Sequence, residues 1–144
     1  MNEQDKLLLL KVLCVMLPHG VIMHNLLKDY DVPLKGVEND NKSIRISVGG
    51  EFSTHSGCLI GFWKGANFKW EWKPYLRPMT SMTDMEKQQF NLLSMNRIVP
   101  DGFGKDIQMF SLKCIDWLNS HYFDYYGLIE KGLALPAPEG MYDI

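Results

Sequence analysis

Cysteine is scarce in this chain and poorly spaced for chemistry. Cys14, Cys58 and Cys114 are an odd set with no C-x-x-C among them. That excludes a disulfide framework and a zinc ribbon and leaves buried free thiols as the expectation. A surplus of one charge is missing too: 15 Lys and Arg against 17 Asp and Glu give a formal net charge of −2. No overall field draws such a chain to polyanions, so a nucleic-acid role would need a local basic patch. Nor is any apolar run long enough to cross a bilayer. Leu7–Leu10 and Val12–Leu17 are apolar, but Glu3 and Asp5 stand where a signal peptide has basic residues. Lys11 interrupts the run, and Pro18-His19-Gly20 is no small-x-small cleavage site, so the expectation is a cytoplasmic protein with no membrane partner. Reaction motifs are equally sparse. There is no G-x-S-x-G, and Gly49-Gly50 and Gly102-x-Gly104 lack the lysine and following helix of a phosphate cradle.

What is present suits one domain. A chain of 144 residues with 46% hydrophobic content can bury a sizeable core. We expect a single domain over residues 1–135, followed by an extended or disordered tail over 136–144, where Pro136, Pro138 and Gly140 cluster.

The stretch Phe68–Glu86 organises the rest. Phe68, Trp70 and Trp72 alternate with Lys69, Glu71 and Lys73, the period of a strand with one buried face. Pro74 cannot donate to a ladder, which predicts that the strand ends there or stays at an edge. Thr83 with Glu86 three residues on predicts a capping box opening a helix that carries Met85, Phe90, Leu92 and Leu93 inward and fades near Asn96.

Upstream, an N-terminal helix is expected, with Leu7, Leu10, Cys14 and Leu17 on one face and Leu9, Leu13 and Met16 widening it. Val21–Leu27 reads as a strand, and Val32–Val37 as a second one held to an edge by Pro33. Ile44, Ile46 and Val48 alternate with Arg45 and Ser47, which makes a third; Gly49-Gly50 reads as a turn and His55 as part of a polar loop. Cys58–Trp63 is read as hairpin partner to Phe68–Lys73. Downstream, Ile107, Phe110, Cys114, Trp117 and His121 fall three or four apart, as on an amphipathic helix, and Leu128–Lys131 is a last turn stopped by Gly132. The fold class is therefore α+β: an N-terminal helix, an antiparallel sheet of about four to six strands, and two C-terminal helices packed on one face.

Two segments carry a resemblance: Lys73–Thr83 (K-P-Y-L-R-P-M-T-S-M-T) and Trp117–Tyr142, which opens W-L-N-S-H-Y-F-D-Y-Y-G-L-I-E-K-G-L-A. They resemble small uncharacterised proteins of gut anaerobic bacteria, their prophages and phages. The resemblance implies a phage or prophage setting and no particular catalytic residue.

Several groups of residues are candidates for function. In Phe62–Arg77, six aromatics and four cations face one acid; Trp63, Lys64, Lys69, Lys73 and Arg77 are the candidate nucleic-acid contacts, since stacking platforms pair exposed rings with cations. Rings and lysines alternate between opposite strand faces, however, so a ring-filled core with solvated lysines is preferred. His121 and Asp124 are weak catalytic candidates, a general base oriented by a carboxylate. Tyr125, Tyr126, Leu128, Ile129 and Leu133 either close the core or form a partner surface. His19, His24, His55 and Cys58 have no zinc spacing, and Asp29, Asp31, Glu38 and Asp40 lack the glycine of a calcium loop, so neither metal nor cofactor is expected. A non-catalytic accessory protein binding a host or phage protein, or a second copy of itself, ranks first. A nucleic-acid module using 62–77 ranks second, and a small His/Asp enzyme last.

Overall fold

The computed structural model describes residues 3–39, 43–50, 53–61, 72–95 and 112–142. An N-terminal helix α1 (Glu3–Met16) runs through a 3-10 turn into strands β1 (Ile22–Asn25), β2 (Tyr30–Asn39), β3 (Ser43–Gly50), β4 (Ser53–Gly61) and β5 (Trp72–Leu76). Helices α2 (Asp84–Met95) and α3 (Leu112–Ser120) follow, and a two-residue β6 (Leu135–Pro136) closes the order. The strands form one sheet ordered β4-β3-β2-β1-β5-β6, antiparallel throughout except where β6 joins β5 in parallel. The class is α+β, as the element pattern predicts.

One side of α1 makes the centre of the core. Leu9, Val12, Leu13 and Met16 are buried against Val21, Met23, Leu34, Ile46, Val48, Trp72 and Leu76, with Leu128, Leu133 and Ala134 closing over them. Each buried Leu, Val, Ile or Met among them contributes about 1.5–3 kcal/mol on leaving water. The face differs from the expected one: Leu7 is 54% exposed and Cys14 is exposed. A helix apolar around most of its girth offers more than one stripe at helical spacing, so periodicity alone cannot choose among them.

Both strand prolines lie inside the sheet rather than at an edge. Pro33 stands opposite Ile22 and Pro74 opposite Met23, on either side of β1. Backbone groups of alternate residues point to the same side of a strand. The Leu34 N–H bonds to Val21 O across β1, so Pro33 turns its missing donor towards β3, whose pairing begins only at Leu34. Leu76 O accepts from Ala137 N on the β6 side, so Pro74 faces that side, where β6 pairs only from Tyr75 on. Each proline is tolerated because ladder pairing on the side its missing N–H faces begins only at the next residue.

Three further local expectations change. Gly49 and Gly50 pair with Thr54 and Ser53 within the β3/β4 ladder, so they are strand residues and not the turn. His55 is the third residue of β4, opposite Val48, rather than part of a loop. On α2, Met85 and Leu92 are 70% and 64% exposed, and only Phe90 and Leu93 turn partly inward. The proposed Cys58–Trp63 hairpin with Phe68–Lys73 falls largely outside the described residues, as do Ile107 and Phe110; α3 begins at Leu112.

Two chain reversals place the C-terminal third. Tyr122, with φ +62, ends α3: its N–H bonds to Asn119 O, and Phe123 N–H bonds back to Leu118 O. Gly132, with φ +74, ends the next turn in the same way, through Gly132 N–H to Ile129 O and Leu133 N–H to Leu128 O. Both are Schellman closures; glycine adopts the left-handed conformation freely, whereas tyrosine does so at a cost of about 1–2 kcal/mol.

Candidate functional site

Arg77 continues β5 by one residue and is held from every side. Its N–H bonds to Tyr122 O at 2.7 Å, and its carbonyl accepts from Asp124 N–H at 2.9 Å, a parallel bridge that ties β5 to the end of α3. Pro78 then starts a tight turn, closed by the Ser81 N–H and hydroxyl on Pro78 O, that brings the chain back into α2. The expected capping box forms there. Glu86 N–H donates to Thr83 Oγ1 at 3.1 Å, and Thr83 N–H donates to Glu86 Oε1 at 3.0 Å. The same carboxylate takes both ends of the Arg77 guanidinium, Nη1 on Oε2 at 2.8 Å and Nη2 on Oε1 at 2.7 Å. This is the two-pronged geometry that makes arginine–carboxylate pairs strong. Below it, the guanidinium carbon sits 4.2 Å from the Phe123 ring centroid, and Nη1 reaches His121 O. The hydrogen bonds from Arg77 hold the Glu86 carboxyl down at about 2; burial opposes them, and the Thr83 N–H and the Arg77 charge add to the lowering.

Tyr142 closes the other wall. Its hydroxyl accepts from Ile22 N–H at 2.9 Å and donates to Tyr75 O at 2.7 Å. Those two backbone groups belong to the residues that would pair next after Met23 and Pro74. The phenol therefore completes the β1/β5 ladder where the strands part. Its ring stacks on Tyr122 at 3.7 Å between centroids, and Tyr122 in turn donates to His19 O. Burial pushes the Tyr142 phenol up from its ordinary value.

Between α2 and residues 137–142 lies an open cleft of about 860 Å³, with Arg77 and Glu86 in its lining beside Met85, Gln89, His121 and Glu139. His121 stacks on Trp117 at 4.1 Å, and its Nδ1 lies 2.8 Å from Trp117 O. A carbonyl can only accept, so Nδ1 carries a hydrogen, and in the neutral ring Nε2 is then the acceptor.

The structure separates His121 from its expected partner. Asp124 is buried and accepts from Leu128 N–H at 2.8 Å through one oxygen and Ile129 N–H at 2.9 Å through the other. Its carboxylate caps the Gly132-terminated turn instead of orienting an imidazole. Of the nucleic-acid candidates, Trp63, Lys64 and Lys69 lie outside the described residues, as does Trp70. Trp72 is 3% exposed, its ring edge-on to Tyr30. Lys73 is half-buried on β5, and Arg77 is bound to Glu86. Of the partner candidates, Leu128 and Leu133 are core residues; Tyr126 and Ile129 pack partly against the core, and the Tyr125 hydroxyl donates to Asn119. Among the described residues no group of three or more His, Cys, Asp or Glu is placed to hold a metal, and no helix is long and apolar enough to cross a membrane.

The residues that sequence reading missed are Gln89, Glu139 and Tyr142. Thr83-x-x-Glu86 pointed to the capping role of Glu86, but nothing local pairs it with an arginine nine residues away. Comparison with protein-family models, curated proteins and solved structures finds no match to the chain.

Proposed function

We propose that the chain is a non-catalytic accessory protein of phage or prophage type that acts by binding another protein, with the cleft beside Arg77 as its contact site. One observation carries this: the cleft is open and large enough for a peptide segment, yet the groups around it that resemble reactive ones are already engaged internally. Arg77 is neutralised by Glu86 and His121 Nδ1 is turned to Trp117 O, while Asp124, which is not part of the lining, caps a turn. What remains for an occupant is shape, apolar surface at Met85 and Pro138, and the polar groups of Gln89 and Glu139. Such a surface suits recognition. The phage or prophage setting rests on the resemblance of Lys73–Thr83 and Trp117–Tyr142, and these two stretches pack together to form much of the site.

The test is co-purification from the source cells with the full chain as bait, beside Gln89→Trp, which fills the cleft from an exposed helix position. A protein retained by the parent chain and lost with Gln89→Trp, while circular dichroism stays unchanged, is the expected result. Identical retention by the two baits overturns the reading. Retention of oligonucleotides that falls steeply with salt would put the nucleic-acid alternative in its place.

A further inference from the structure

We infer that the occupant of the Arg77 cleft is a basic peptide segment of the partner, an arginine or lysine whose head is held by Glu139 and His121; this rests on the cleft being the protein-binding site. The charges decide it. Arg77 and Glu86 cancel within a bidentate pair, the carboxylate staying ionised because its pKa is held at about 2. Glu139 is left as the unbalanced charge in the lining, exposed and with no ion-pair partner among the described residues. The polar groups beside it can serve the same ligand: in the neutral tautomer with its hydrogen on Nδ1, His121 Nε2 accepts, and the Gln89 amide offers an acceptor oxygen as well as its N–H donors from the exposed side of α2.

A cleft left with one unbalanced carboxylate beside a paired Arg77 and Glu86 favours a cationic ligand, and guanidinium and ammonium groups donate without accepting. An acidic peptide would bring its charge against Glu139 with Arg77 already spent. The apolar part of the lining, Met85 and Pro138, suits the aliphatic stem of a long basic side chain, which packs its methylenes on apolar surface while its head stays polar.

The experiment is selection of a randomised displayed peptide library on the immobilised full chain. Synthetic copies of the selected peptides are then measured by fluorescence anisotropy against the parent chain, Gln89→Trp and Glu139→Gln. Expected are peptides carrying Arg or Lys that bind the parent chain, lose binding with Gln89→Trp, and weaken about tenfold with Glu139→Gln. Peptides that Gln89→Trp abolishes, but that carry no basic residue or are indifferent to Glu139→Gln, overturn the basic partner and spare the cleft. Failure to select any peptide that Gln89→Trp displaces removes both the inference and the reading beneath it.

Discussion

A phenol near the C-terminus does the work of a backbone hydrogen bond. Tyr142 takes the Ile22 N–H and satisfies the Tyr75 carbonyl, so Tyr142→Phe leaves both without their partner while keeping the ring stacked on Tyr122. The expected loss is about 1–3 kcal/mol in urea unfolding; a loss below a few tenths would mean that the bridge carries no stability. Glu86 makes the second claim at this scale. Its folded pKa is depressed from 4.5 to about 2, so its contribution is complete above pH 4.5 and disappears as the pH falls towards 2. With the side chain 14% exposed, solvent screening brings that contribution to about 1–2 kcal/mol. Glu86→Gln should lower the denaturation midpoint at pH 7 and flatten its fall between pH 5 and 2. A variant whose midpoint follows the parent chain's pH profile would refute the pairing. Glu86 was placed by sequence at the start of α2, because a capping box is a three-residue pattern. Its pairing with Arg77 was not legible, because that depends on how the Pro78 turn folds the chain back.

At the level of elements, the orientation of α1 offers the cleanest discrimination. Leu13 is fully buried and Leu7 is 54% exposed. Leu13→Ala should cost about 2–5 kcal/mol and Leu7→Ala less than about 0.5 kcal/mol, read from thermal or urea midpoints. The reverse order would restore the face that spacing suggested. Sequence gave the helix but not its rotation, because its apolar residues nearly encircle it and only the shape of the sheet beneath selects a stripe. The prolines teach a related lesson. A proline inside a strand pattern is an edge signal by sequence, yet Pro33 and Pro74 flank the central β1. The rule concerns the missing donor rather than the strand's rank, and which way a donor points follows from register. The last helix closes on Tyr122 in a left-handed conformation that its stacking against Tyr142 and its bond to His19 O help to hold. Nothing local marks a tyrosine for that place.

For the whole molecule, the segment after Ala134 joins sheet, helix end and cleft. It supplies β6 and Tyr142 and borders the cleft at Pro138 and Glu139. Ending the chain at Ala134 should therefore lower the unfolding midpoint by more than Tyr142→Phe does and abolish partner capture, with midpoint and capture measured on the same preparation. A truncated chain as stable as the parent would show that the segment is merely laid on the surface. Composition and periodicity by themselves determined the class of this protein: the alternation in β3, the Thr83-x-x-Glu86 start of α2 and the Gly132 stop are short-range patterns, and short-range patterns need only local backbone geometry. The face of α1, the tolerance of two interior prolines, the pairing of Arg77 with Glu86 and the separation of His121 from Asp124 were decided only in three dimensions. Each depends on which distant backbone groups and side chains already satisfy one another, a relation that distance along the chain does not encode.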